Sequence, residues 1–177
     1  MYVDPVEFAS LSLTARIRIV SSELLGFGYG PPGFPRPPGA LEELAGLVDS
    51  TKLIDCSSLA AFVLFEVFDG FTFDHYRQIQ IYDAAQPFSN LAAVVSAGVG
   101  SVVAAPIPGR WHLMQTWHGL EPLKGGHTRI VYCDGDQLEA LESTGLGNGG
   151  PRWSALSWAG AQTTYEGLGL AVLSETI

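Results

Sequence analysis

The chain changes its hydrophobic period part of the way along. Apolar residues of the first half recur at helical spacing, and those of the second half alternate as in a strand. Over residues 6–25, Phe8, Leu11, Leu13, Ile17, Ile19, Leu24 and Leu25 follow a helical repeat that Gly26 ends. Residues 53–68, LIDCSSLAAFVLFEVF, are apolar almost all round after a polar start. That pattern predicts a helix buried in a core, with Asp55 as its N-cap. Residues 41–48 predict a short helix, residues 71–86 fit neither period, and Ser89-Asn90 caps a small-residue helix over 91–97. Strands follow at 101–105 and at 111–117, where Trp111, Leu113, Gln115 and Trp117 share one face. Residues 127–132 and 138–143 flank Asp134-Gly135, a hairpin signal, and 152–158 and 167–173 supply the last strands. Helices first and an antiparallel sheet afterwards predict one α+β domain over residues 1–177.

Composition changes this picture mainly by exclusion. Of 177 residues, 47% are apolar, enough for a real core, and 21 Gly with 11 Pro imply many turns. The run GFGYGPPGFPRPPG after residue 25 cannot be regular structure, and Phe27, Tyr29 and Phe34 give it apolar anchors. A net charge of −9 argues against nucleic-acid binding and against a polybasic membrane site. No apolar run is long enough to cross a bilayer. The amino terminus lacks a basic region followed by an apolar one, so no signal peptide is expected. The default location is cytoplasmic, and export without a cleavable signal would leave the same sequence. Cys56 and Cys133 make no disulfide framework. His112, His118, His127, Cys133, Asp134 and Asp136 match no zinc template, so neither a metal nor another cofactor is expected.

The candidate chemistry centres on Cys56. In the first turn of a helix, free backbone amides and the helix dipole favour an anion, and the thiolate is the nucleophilic form. Alone, a cysteine there reads as a packing residue, as Cys133 does. A nucleophile needs a base and a group that orients the base. His127 opens a strand after Gly125-Gly126 and is expected at a sheet edge, facing the helix layer. Across the hairpin, Glu142 falls near that same end, with Glu139 close by as an alternative. A carboxylate there would accept from one imidazole nitrogen and leave the other for Cys56. Gln115 is a candidate extra oxyanion donor or a buried structural amide, and Trp111 a candidate cleft wall.

The motifs in this order resemble the NlpC/P60 superfamily of papain-like cysteine peptidases, with the CHAP amidases close behind. Asp55-Cys56-Ser57-Ser58-Leu59 is similar to the family's D-C-S-G-L, with Ser58 in place of Gly. Gly125-Gly126-His127-Thr128-Arg129-Ile130-Val131 resembles its G-H-V-G-I-V strand, and Ala140-Leu141-Glu142-Ser143-Thr144-Gly145 the strand that carries its third polar residue. Gly26-Phe27-Gly28-Tyr29-Gly30 is similar to an entry segment whose Tyr lies near the active site. The resemblance implies a papain-like fold, with N-terminal helices packed on a C-terminal antiparallel sheet. It implies a Cys56-His127-Glu142 triad and an oxyanion site at the amides of Cys56 or Ser57. The implied substrate is an amide in peptidoglycan stem peptides or another small peptide, cleaved through a thioester. Two departures stand out. Residues 69–108 form an insertion, a lid or a substrate wall. The family's G-D-L-V-F-F strand is replaced by residues 109–115, which lose the Asp. A thiol acyltransferase on the same fold, or a non-catalytic module using the aromatic cleft, are the alternative readings.

Overall fold

A computed structural model describes residues 4–30, 52–72, 74, 75, 79, 89–117, 126–145 and 149–175. The expected helix at 41–48, most of the 71–86 stretch, the proline-rich run after residue 30 and His118 lie outside the described residues. The amino-terminal helix expected over 6–25 is two helices, α1 (Pro5–Ser10) and α2 (Leu13–Leu24). The break has a local cause. Ser12 accepts the amide of Ala15 and starts a new helix, while Leu11 is extended. Leu13, Ile17, Val20 and Leu24, spaced by three and four residues, form the buried stripe of α2.

Helix α3 (Cys56–Val67) begins directly after the expected N-cap Asp55, and its Ala60, Ala61, Val63 and Leu64 are all but fully buried. The Arg16 guanidinium of α2 donates to the carbonyl of Val67 at 3.0 Å, which satisfies one of the free carbonyls at the end of α3. Helix α4 (Ser89–Ser96) starts two residues earlier than expected. The strands are β1 (Gly100–Val103), β2 (Trp111–Trp117), β3 (Gly126–Asp134), β4 (Gln137–Thr144), β5 (Gly150–Ser157) and β6 (Gly167–Leu173). They form one six-stranded sheet in the order β1-β6-β2-β3-β4-β5, every pair antiparallel. Asp134 pairs with Gln137, so the tight turn is Gly135-Asp136, with Gly135 at the positive φ (61°) such turns demand. A short helix α5 (Trp158–Thr164), capped by Ser157, stands where the last residue of a strand was expected.

The protein is therefore α+β, with both faces of the sheet covered. Leu113, Ile130, Leu141 and Ala171 pack against α2, α3 and α4. Met114, Val131, Leu138 and Ala140 form a second core on the other face, with Ala161 of α5. The described part of residues 69–108 belongs to the body of the domain, since β1 is the sheet's edge strand on β6 and α4 packs on both. Among the described residues no helix is long and apolar enough to cross a membrane.

Candidate functional site

The site is built where α3 begins. Asp55 is extended, and its Oδ1 accepts the amide of Ser58 at 2.7 Å and the Ser57 hydroxyl at 3.0 Å. The Ser57 side chain thus reinforces the cap. Cys56 is the first residue of the helix. Three further bonds tie that turn to the sheet and to the segment before it. Ser143 Oγ of β4 donates to the carbonyl of Ile54 at 2.6 Å, and both residues are fully buried. The amide of Ile54 donates to Gly28 O at 3.0 Å, and the amide of Gly28 to Lys52 O at 2.7 Å. Tyr29 is thereby held beside the cysteine. Its phenol is pushed above its ordinary range by burial and by the charges of Cys56 and Asp55. Gly145 and Gly149 lie against Tyr29, so close that an added Cβ at either would stand 3.2 or 3.1 Å from it.

The Cys56 thiol lies within reach of the Thr128 amide of β3. Burial pushes its pKa up. The amides of Thr128 and Ser57 and, least, the charge of Arg129 pull it down, while Asp55 pushes it up, and the net displacement is upward. The resting group is a thiol, flanked by two amides that would welcome a negative charge.

His127 and Glu142 are in contact. His127 Nε2 lies 2.8 Å from Glu142 Oε2, with the Glu142 side chain 7% exposed. With Nε2 engaged by a carboxylate it carries the proton, and Nδ1 is the acceptor nitrogen of the neutral ring. The same Oε2 accepts Arg129 Nε at 2.8 Å, and Oε1 faces Arg152 Nε and Nη2 at 3.4 and 3.3 Å. Arg129 also donates to Thr116 Oγ1 and to the Tyr165 hydroxyl, both at 3.0 Å. Burial alone would raise the Glu142 pKa. The His127 bond, the charge and bond of Arg129 and a bond from Ser154 outweigh it and hold the carboxyl well below the usual carboxylate range.

Strand geometry decides how the two halves are related. The β2–β3 register runs unbroken from Trp111↔Tyr132 to Trp117↔Gly126. Alternation then sends Thr128, Ile130 and Tyr132 toward α2 and α3, and His127 and Arg129 to the α5 face. The expectation that His127 faces the helix layer is corrected on this point. The sheet-edge expectation is corrected too, since β3 is an interior strand. The β3–β4 ladder begins only at Ile130↔Leu141, so residues 126–129 of β3 and 142–144 of β4 are not laddered to each other. His127, Arg129 and Glu142 bridge that opening on one face, and the first turn of α3 stands at it on the other, beside Thr128.

Gln115 pairs with Thr128 and shares its face, and it is 2% exposed with Oε1 unpartnered. Trp111 is placed elsewhere. It is buried against α2 at the far end of β2, its indole N–H donating to Thr14 Oγ1 at 2.9 Å, and it does not line the site. Glu139 pairs with Arg18 of α2. Cys133 is a buried free thiol in the second core. Among the described residues no three His, Cys, Asp or Glu side chains converge as metal ligands would. Sequence reasoning missed Arg129, Arg152 and Tyr165, although hairpin register puts Arg129 across from Glu142. Comparison with known proteins adds no relative: no protein-family model, no curated protein and no solved structure matches this chain.

Proposed function

We propose that this chain is a papain-like cysteine hydrolase of NlpC/P60 type that cleaves an amide bond. The observation that carries the reading is the part-buried 2.8 Å contact between His127 Nε2 and Glu142 Oε2. In this reading it puts the ring proton on Nε2, so that Nδ1 would be the nitrogen that acts as base toward Cys56 across the unladdered end of β3 and β4.

In this reading the chemistry starts from neutral groups. His127 Nδ1 takes the Cys56 S–H proton as the thiolate attacks the amide carbonyl, forming the C–S bond. The amides of Ser57 and Thr128 favour the thiolate as it forms, and the free amides at the start of α3 would hold the oxyanion. Breakage of the C–N bond is matched by return of the proton from His127 to the leaving amine. Water, deprotonated by the same nitrogen, then releases the acid and restores the thiol. The implied substrate is a peptide, with peptidoglycan stem peptides as the first to test.

The experiment is digestion of purified peptidoglycan, with mass spectrometry of the soluble fragments. New amine and carboxylate termini are expected with the native protein and not with Cys56→Ala. Identical fragments from the two proteins would eliminate this substrate. An added amine that captures the acyl group in preference to water would move the assignment to an acyltransferase.

A further inference from the structure

Arg129 has no part in the triad scheme, yet it makes side-chain hydrogen bonds to three partners at the site. It is 8% exposed and spans three strands and the segment after α5, reaching Glu142, Thr116 and Tyr165. Its bond to Glu142 ends on Oε2, the same oxygen that receives His127, and both contacts are 2.8 Å. A carboxylate whose only task is to be the counter-ion of an imidazolium would not be held this way.

We propose that Arg129 is a positioning residue that neutralises Glu142, so that the carboxylate orients His127 as an amide would, without acting as its counter-ion. The inference rests on the hydrolase reading for its catalytic meaning and on geometry for its content. Among the described residues, the charged groups facing Glu142 are Arg129 on β3, Arg152 on β5 and His127 itself. Ser154 on β5 adds a neutral donor, and Tyr165 and Thr116 hold the far side of Arg129. Counting these described groups, with the ring neutral, one carboxylate and two guanidiniums leave a charge of +1. A protonated ring would raise it to +2 around a group shielded from water, which works against imidazolium. Arg129 is also fixed on its carboxylate oxygen, so the imidazole plane is set before any substrate arrives. The Cys56 thiol, itself pushed toward its protonated form, fits the same scheme. The resting pair is thiol and neutral imidazole, and the proton moves only as the thiolate attacks.

The test is nitrogen NMR of the His127 ring in the native protein and in three variants. At pH 7 the native ring is expected to be neutral with its proton on Nε2. In Arg129→Met the protonation midpoint is expected to rise by about one pH unit, because the carboxylate is partly released to act as counter-ion. Arg129→Lys, which keeps the charge, is expected to restore most of the native value, and Arg152→Met to shift it upward by less. A purely structural role for Arg129 would lower stability and leave the midpoint where it is. An imidazolium in the native protein at pH 7 overturns the proposal. So does a folded Arg129→Met with an unmoved midpoint. If that variant does not fold, the native ring state and the direction of the Arg152→Met shift decide, and a downward or absent shift overturns it. None of these readouts involves turnover, so failure to cleave any amide would remove the hydrolase reading and leave this result standing.

Discussion

Glu142→Ala is the substitution with the largest consequence that can be worked from the structure. It removes the acceptor of the buried donor Arg129 Nε, of the part-buried His127 Nε2 and of one half-exposed partner, Arg152. The Arg152 contact, at 3.3 Å with that side chain 47% exposed, contributes on the order of 0–1 kcal/mol. Arg129 is different, because its side chain is 10% exposed and cannot return to water without disrupting Thr116 and Tyr165. Breaking a buried pair by deleting one partner leaves an uncompensated charge and costs about 3–5 kcal/mol. The expected loss is therefore at least about 3 kcal/mol, a large share of the roughly 5–15 kcal/mol typical of a domain. Urea unfolding followed by tryptophan fluorescence measures it. With a slope of about 1–3 kcal/mol/M, the midpoint should fall by about 1 M or more. Glu142→Gln/Arg129→Met, which removes both charges together, should recover more than half of the loss. A loss below about 1 kcal/mol for Glu142→Ala would show that Arg129 is not dependent on this carboxylate, and the electrostatic account of the site would fall with it.

Other outcomes follow from single contacts. His112 is fully buried, its Nε2 accepts the amide of Ile107 at 3.0 Å, and burial lowers its pKa from 6.5 to about 4. The folded state prefers the neutral ring, so this stabilisation is complete above pH 6.5 and is lost as pH falls from there toward 4. The 2.5-unit difference is worth about 3 kcal/mol, and His112→Gln should flatten that part of a stability–pH curve; an unchanged slope would refute it. Glu142 acts in a lower window. Its depressed pKa gives stability above the ordinary carboxylate value that is lost below about pH 4.3, a second acid-side decline that Glu142→Gln should abolish. Ser143→Ala leaves the buried carbonyl of Ile54 without its donor and should cost about 1–3 kcal/mol in thermal unfolding; no loss would mean that Ser143 does not tether α3.

Much of this site could be read in the sequence because its geometry is local. Asp55 as a cap needs only the turn that follows it, and the contact of Glu142 with His127 needs only a two-residue hairpin and a period of two. The face of His127 needed more. It depends on the β2–β3 register, which spans the undescribed residues 118–125 and which no local pattern specifies. The role of Arg129 was hidden by its surroundings. In the G-H-V-G-I-V pattern its position belongs to Gly, and a strand arginine suggests solvent until Tyr165 and Thr116 are known to enclose it. Trp111 failed as a cleft residue for a related reason. Alternation gave its face correctly, but α2 lies over that face and Thr14 takes its N–H. The split of the first helix turned on Ser12, whose capping preference outweighed a continuous apolar repeat.

The claim that Cys56 is a nucleophile served by His127 is tested most directly by thiol alkylation. Iodoacetamide labelling near neutral pH, resolved by peptide mass spectrometry, compares Cys56 with buried Cys133 in one molecule. Cys56 is expected to react faster than Cys133, and His127→Ala is expected to slow it at least tenfold while leaving Cys133 unchanged. Equal rates in the native protein and His127→Ala would contradict the account, because Cys56 would then be an ordinary thiol in the first turn of a well-capped helix.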